Sequence, residues 1–369
     1  HAHGGFPATR EIMHLILERG ARMSEPGEFT RRAFLNGRID LVQAEAVLDI
    51  IRAKTDLALS SGQQQLSGSL SDSLHAYKRT CFELLADMEA QIDFPEDAPE
   101  SAVPFAQRLE ALVKDIDAMV HSGVKGRVIR EGLRVALFGR PNTGKSSLLN
   151  ALVRAERAIV TPVPGTTRDT VEEYISIRGL AVHLIDTAGI LEAPGVVEKE
   201  ALDRAHKAVD TADIVLFVVD ASENCTDQDV ALAQRLVGKK VILVLNKIDL
   251  GRRFDRSRLG VLTAPQVDVS ALKNTHIGLL EEEICRVATE GVSLEAAEGI
   301  LVTNVRHIDA LKRARNFLAE AVETLKKGVS LEFAAEDVRQ AVAAFGEITG
   351  EVAPEDILNH IFSKFCIGK

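Results

Sequence analysis

Gly139-Arg-Pro-Asn-Thr-Gly144-Lys145-Ser146 follows directly on the apolar run 135–138, and the eight residues constrain the fold more tightly than any other stretch of the chain. The run before them reads as a strand, and the Leu- and Asn-rich stretch after them reads as a helix. The turn between has the GxxxxGK[ST] spacing of a phosphate-binding loop in its required strand–loop–helix setting. Glycines let successive backbone N–H groups wrap an anion, and the helix N-terminus adds the positive end of its dipole. Lys145 then supplies a point charge between the β- and γ-phosphates. The Ser146 hydroxyl is placed to ligate Mg²⁺, and Asn142, Thr143, Gly144 and Ser147 complete the cradle. A glycine-rich turn without nucleotide accounts for the residues but not for their setting.

Three further motifs follow in order. Asp186-Thr187-Ala188-Gly189 comes after the apolar run 182–185. A carboxylate at the end of a strand beside a phosphate loop holds a Mg²⁺-bound water, and Gly189 lets backbone approach the γ-phosphate. Asn246-Lys247-Ile248-Asp249 closes the run 241–245. Asp249 can accept hydrogen bonds from the guanine N1–H and exocyclic amine; adenine offers no such pair and leaves a desolvated carboxylate unmatched. Ser270-Ala271-Leu272 fits a loop that meets the guanine oxygen through backbone. An isolated Asn-Lys-x-Asp is common and often an ordinary surface loop. In this order and spacing the motifs read as a GTP/GDP site.

Around the site the hydrophobic period changes twice. Phe105, Leu109, Leu112, Ile116 and Met119 recur at spacings of four and three, the period of one helix face, with Ser122-Gly123 as its expected end and 95–104 as a loop before it. Short β-branched runs follow at 135–138, 174–177, 182–185, 214–219 and 241–245, mostly continuous, as in parallel strands covered on both faces. Beyond residue 300, Val305, Ile308, Leu311, Phe317, Leu318, Val322 and Leu325 restore the helical period. The expected fold is an α/β P-loop G domain with a mostly parallel sheet, inserted into an all-α helical-bundle domain. At 369 residues the chain has length for two or three domains.

Composition excludes some functions. A net charge of −10 argues against a surface coated for nucleic acid, and the clusters Arg252, Arg253, Arg256, Arg258 and Lys312, Arg313, Arg315 read as solvated faces. The four cysteines, Cys81, Cys225, Cys285 and Cys366, form no CxxC pair, so neither a disulfide framework nor a zinc site is expected, and a cytoplasmic home is. No apolar run approaches the ~20 residues of a membrane helix, so no membrane partner is expected. The chain begins at His1 rather than Met and reads as a piece of something longer.

Beyond the nucleotide motifs, Gly165-Thr166-Thr167-Arg168-Asp169 and the terminal Phe365-Cys366-Ile367-Gly368-Lys369 narrow the comparison, with Pro26-Gly27-Glu28-Phe29, Ala33-Phe34-Leu35-Asn36 and the stretch from Asp40 to Ala46 as further matches. With these the chain resembles the MnmE (TrmE) family of tRNA-modification GTPases over essentially its whole length. The resemblance implies the C-terminal part of an α+β folate-binding domain at 1–40, the first half of the helical domain at 41–128, the G domain at 129–295, and the second helical half with its cysteine tail at 296–369. It implies K⁺ held by the Asn142 side chain and the Thr161 and Val163 carbonyls, Mg²⁺ held by Ser146 and Thr167, and Thr161, Thr166 and Thr167 in the nucleotide site. Ile190 stands where small signalling GTPases place a catalytic Gln, and the family's catalytic glutamate matches Glu198 by its spacing from Asp186. Cys366 is the family's C-terminal cysteine. The partners implied are tRNA, an FAD-containing protein, a folate one-carbon donor (5-formyl-tetrahydrofolate) and a second copy of the chain. A ribosome-assembly GTPase binding rRNA is the alternative; a lipidated signalling switch is a third reading, which Gly368 opposes because it is not aliphatic as a CaaX box requires.

Overall fold

The computed structural model describes residues 5–94, 103–155, 158–159, 174–186, 207–260, 262–292 and 301–368. The chain opens with helices α1 (Phe6–Glu18) and α2 (Glu28–Leu35). Helix α3 (Leu41–Arg52) starts at a reciprocal cap: the Gln43 N–H donates to Asp40 Oδ1 at 2.8 Å and the Asp40 N–H donates to Gln43 Oε1 at 3.0 Å. Two otherwise orphaned backbone donors are satisfied there, an arrangement worth ~1 kcal/mol. Helices α4 (Asp56–Leu66), α5 (Ser69–Asp93) and α6 (Val103–Glu131) follow.

The α/β segment comprises strands β1 (Leu133–Phe138), β2 (Ala158–Ile159), β3 (Tyr174–Ile177), β4 (Leu180–Asp186), β5 (Ile214–Asp220), β6 (Val241–Asn246) and β7 (Gln266–Asp268), with helices α7 (Lys145–Ala155), α8 (Asp227–Gln234) and α9 (Ile277–Ala288). The sheet order is β2-β3-β4-β1-β5-β6-β7. β4, β1, β5, β6 and β7 run parallel, while β2 and β3 add an antiparallel edge. β5 and β6 are buried at every residue, which is why they read as continuous apolar runs rather than alternating ones. One face packs Leu148, Leu152, Leu280 and Ile284 from α7 and α9; the other packs Ala233, Leu236, Phe254 and Leu259.

Helices α10 (Val305–Lys326), α11 (Leu331–Thr349) and α12 (Glu355–Phe362) close the chain. Leu84 and Met88 of α5, Leu109 and Ile116 of α6, Leu311 and Leu318 of α10, and Phe345 of α11 share one hydrophobic core. Helices from both sides of the sheet segment in sequence therefore fold into one bundle. Each such Leu or Phe, fully buried, contributes roughly 1.5–3 kcal/mol.

The expected helix end at Ser122-Gly123 is overturned. α6 runs unbroken through both residues to Glu131. These glycines serve contact rather than termination. A Cβ on Gly123 would lie 2.7 Å from Ile308 Cδ1, and one on Gly126 would lie 2.0 Å from the Val302 carbonyl oxygen. The chain returning from the sheet crosses α6 so closely that only glycine fits, which outweighs the ~1 kcal/mol that glycine costs inside a helix.

A buried ionic cluster joins α3 to α10. His307 Nε2 lies 2.7 Å from Glu45 Oε2, Arg306 Nη2 lies 2.8 Å from the same oxygen, and Arg306 Nη1 donates to the Glu347 carbonyl at 2.6 Å. His307 Nδ1 is buried with no hydrogen-bond partner. A proton there would be an unpaired donor, which disfavours the imidazolium; burial lowers its pKa below the ordinary 6.5 against the pull of Glu45. Burial alone would raise the Glu45 carboxyl, but His307 and Arg306 outweigh it and hold it at about 2. Both shifts act in one direction. The unfolded chain binds more protons than the folded one, from His307 as pH falls below 6.5 and from Glu45 as pH falls from 4.5 toward 2. The melting temperature, followed by circular dichroism, is therefore expected to drop between pH about 7.5 and about 5.5. The drop should shrink in His307→Asn, which removes the titrating group; an equal drop in both proteins would locate the acid sensitivity elsewhere.

Candidate nucleotide site

Parallel pairing gathers the functional residues at one edge of the sheet. The phosphate loop follows β1, Asp186 ends β4, Asp220 ends β5, Asn246 ends β6, and Ser270 lies just after β7. All five strands point the same way, so these residues meet at the carboxyl edge, where open α/β sheets take their ligands. The register pairs Leu137 with Asp186 and Asp220 with Asn246, which sets the strand ends side by side.

Within the loop, Gly144 has φ +90°, and a Cβ on it would lie 2.3 Å from Asn246 Nδ2. Lys145 is buried at the start of α7, its Nζ donating to the carbonyls of Gly139 at 3.0 Å and Arg140 at 2.6 Å, which stretches the ammonium across the mouth of the loop. Thr143 is also buried; its hydroxyl donates to the Arg140 carbonyl at 3.0 Å. Asn142 takes a left-handed backbone, φ 62°, at the exposed crest. Ser146 and Ser147 are exposed in the first turn of α7.

Asn246 fastens the loops together. Its Nδ2 donates to the Thr143 carbonyl at 3.0 Å, and its Oδ1 accepts from the Ala271 N–H at 3.0 Å. The Ala271 N–H is thus already engaged by this internal bond. Lys247 Nζ donates to the Asn142 carbonyl at 2.7 Å and pairs with Asp220 Oδ2 at 2.6 Å. Asp249 is reached by the Ser270 hydroxyl at 2.6 Å, and that hydrogen bond holds its carboxyl below the usual carboxylate range. Asp249 is therefore an ionised acceptor with a fixed orientation, as the base-recognition reading requires.

Thr161, Val163, Thr166, Thr167, Gly189 and Glu198 lie outside the described residues, and for Asp186 only the strand position is described. Cys366 belongs to a different cluster. Ile361, Phe362 and Phe365 pack on Leu41, Ala44 and Leu48 of α3. Ile367 forms a β-bridge with Pro26, and the Gly27 N–H donates to the Cys366 carbonyl at 3.5 Å. The Cys366 thiol is exposed, whereas Cys81, Cys225 and Cys285 are buried, with burial pushing the Cys81 thiol up to about 12.

Of the two basic clusters, Arg252 pairs with Asp268 at 2.9 Å and Arg258 with Asp227 at 2.8 Å, while Arg256 donates to the Ala264 carbonyl at 2.6 Å. Arg313 meets Glu347 at 2.6 Å and Arg315 meets Asp117 at 2.9 Å. Each of these cations is engaged with the chain itself.

The sequence reading passed over Asp220, Arg140 and Asp229. Arg140 Nε donates to the fully buried Asp229 at 2.7 Å, tying the loop to the start of α8. Asp220 carried a usable signal, since an acid closing an apolar run is what marked Asp186. Arg140 and Asp229 carried none, because their pairing joins residues 89 apart in sequence.

A family model described as the MnmE helical domain matches residues 41–366, and one described as the GTP-binding protein TrmE N-terminus matches residues 1–38. The chain belongs to the MnmE family. Over its whole length it is 44% identical to the protein named tRNA modification GTPase MnmE of Thermoanaerobacter sp. (strain X514), 81% of which it covers. It is 46% identical to the Geobacter sulfurreducens protein of that name, covering 81% of it, and 43% identical to that of Lactobacillus helveticus, covering 80%. The matched helical region takes in both halves of the bundle, so membership in the MnmE family and the interrupted helical fold are consistent.

Asp249→Asn places an amide where the guanine amine needs an acceptor. The substitution is expected to weaken GTP binding by at least ~10-fold and to shift preference toward xanthine nucleotides. Competition against a fluorescent guanine nucleotide checks this, and parental GTP affinity in the variant would refute the base assignment.

Proposed function

We propose that this chain hydrolyses GTP to drive conformational change while the wobble uridine of certain tRNAs is modified. That the chain is a GTPase of tRNA modification follows from its membership in the MnmE family. The observation that carries the reading is the double hydrogen bond of Asn246, which holds the phosphate loop and the Ser270–Ala271 loop in one frame beside Asp249. A phosphate cradle and an acceptor for guanine are thereby fixed relative to each other.

The division of labour follows from chemistry. The backbone N–H groups of residues 139–146 and the Lys145 ammonium bind the phosphates, and Asp249 with the Ser270–Ala271 loop binds the base. The hydroxyls of Ser146 and Thr167, hard oxygen donors that suit the ion, would ligate Mg²⁺, and the Asp186 carboxylate would hold a metal-bound water. Asn142, with its side chain exposed at the crest of the loop, and the Thr161 and Val163 carbonyls would hold K⁺. Such a cation supplies the charge neutralisation that an arginine finger supplies elsewhere. Glu198 polarises the attacking water, because the hydrocarbon of Ile190 cannot.

In this reading the chain has a folate-binding portion at 1–40, helical halves at 41–128 and 296–369 and a G domain at 129–295, and it acts as a homodimer with an FAD-containing partner and a folate donor in a cytoplasmic setting. The exposed Cys366 thiol, on a tail whose backbone pairs with Pro26 and Gly27 within the proposed folate-binding portion, supports a role in the modification chemistry. The rRNA-binding alternative expects an αβ RNA module after the G domain; the described residues there form helices α10, α11 and α12.

GTP turnover is expected to be faster in K⁺ than in Na⁺ at equal ionic strength. In the same assay Glu198→Ala should slow single-turnover hydrolysis by ~10²-fold while GTP still binds. Equal rates in the two salts would remove Asn142, Thr161 and Val163 from the site, and near-parental hydrolysis would remove Glu198.

Cys366→Ser, nearly isosteric, is expected to abolish wobble-uridine modification in a deletion strain and to leave GTP turnover and melting temperature unchanged. Full modification by the Ser variant, read by mass spectrometry of tRNA nucleosides, would reduce Cys366 to a tail residue.

A further inference from the structure

Asp220 closes strand β5, between β1 and β6, with its carboxylate almost wholly buried. Both oxygens are engaged. Oδ1 accepts from the Ser222 N–H at 2.9 Å and the Ser222 hydroxyl at 2.6 Å; Oδ2 meets Lys247 Nζ at 2.6 Å. Burial would raise this carboxyl, but the hydrogen bonds from Lys247 and Ser222 outweigh it, so the group stays ionised. Lys247 in turn donates to the Asn142 carbonyl at 2.7 Å. Both Lys247 and Asn142 sit at positive φ, 65° and 62°, a conformation that costs a non-glycine residue ~1 kcal/mol or more and persists only where its surroundings enforce it.

We propose that Asp220 is a positioning residue for nucleotide binding: it holds the Lys247 ammonium against the Asn142 carbonyl, and thereby keeps the crest of the phosphate loop in its anion-cradling conformation. The proposal rests on the reading of this edge as a GTP site.

Two physical effects support the assignment. The first is geometric. The Lys247 side chain is about one-third exposed. With only a neutral carbonyl as partner, a flexible ammonium beside solvent has little reason to stay. Asn142 could then leave the left-handed region and turn its neighbouring N–H groups away from a common phosphate. The second is electrostatic. Asp220 is an anion at the same strand edge as the phosphate loop, and Lys247 cancels it at short range. The pair is therefore neutral toward phosphate, while either member alone is not.

The test measures binding and turnover separately on the full chain. Asp220→Asn keeps the shape and one acceptor but removes the charge. It is expected to raise the Kd for fluorescent GDP and GTP, and the KM for GTP, by ~10-fold, while kcat at saturating GTP stays within about twofold. Ser222→Ala loosens the carboxylate without removing it and should raise Kd by roughly 2–3-fold. It also serves if Asp220→Asn fails to fold by circular dichroism. Kd and KM within twofold of the parent in the folded Asn variant, or no change in Ser222→Ala where the Asn variant does not fold, would overturn the proposal. So would a fall in kcat with KM unchanged. Failure of the parent chain itself to bind guanine nucleotide would instead overturn the GTP-site reading, which keeps the two outcomes apart.

Discussion

Two hydrogen bonds from one buried amide set the geometry on which the nucleotide site depends. Asn246 donates to the Thr143 carbonyl and accepts from the Ala271 N–H, each at 3.0 Å. A carboxylate could accept but not donate, and an aliphatic side chain could do neither, so the amide is the side chain that suits both bonds. The two loops it joins lie more than a hundred residues apart in sequence. Buried, these bonds act in low dielectric, where a lost partner costs ~1–3 kcal/mol and a satisfied one specifies a single arrangement. Gly144 belongs to the same constraint, since a side chain there would displace the Asn246 amide.

What Asn246 does for the site, α3 does for the rest of the chain. Glu45 and Asp49, four residues apart, lie on one face of the helix. Glu45 grips Arg306 and His307 at the start of α10, and Asp49 grips Arg130 at the end of α6, 2.8 Å away. These are the helices on either side of the sheet segment. Leu41, Ala44 and Leu48 carry the packed residues of the C-terminal tail, and Arg52 Nη2 donates to the Lys364 carbonyl at 2.8 Å. Lys54, just past the helix, lies over the Tyr174 ring at the start of β3. Buried ion pairs return little net stability, because desolvation offsets their attraction. Their effect here is to fix where α3 sits against α6 and α10.

The nucleotide site was legible because its motifs are local. A phosphate loop needs only a strand, two glycines and a helix in sequence order, and burial on both faces made β5 and β6 continuous apolar runs. The same locality explains the misreading at Gly123. A glycine that ends a helix and one that admits a crossing chain look alike until Ile308 and Val302 are placed beside α6. Arg252 and Arg258 illustrate the converse, since a basic cluster declares its charge but not the acids that neutralise it. Asp220 falls between these cases: its place at the end of an apolar run was visible, while its grip on Lys247 depends on β5 lying beside β6.

The contact between Gly126 and Val302 bears on how the sheet segment can move. The segment leaves the bundle through α6 and returns through residues 301–304, and these two connections touch where neither can yield by rotating a side chain. Gln65 reinforces the junction by donating to the Leu301 carbonyl at 3.2 Å and the Thr303 hydroxyl at 2.7 Å. Turning the sheet about one connection must therefore slide backbone against backbone at Gly126 or strain the Arg130–Asp49 pair beside it. Displacement of the nucleotide-binding edge relative to the bundle is thus constrained at the junction where α3 also supports the Cys366 tail.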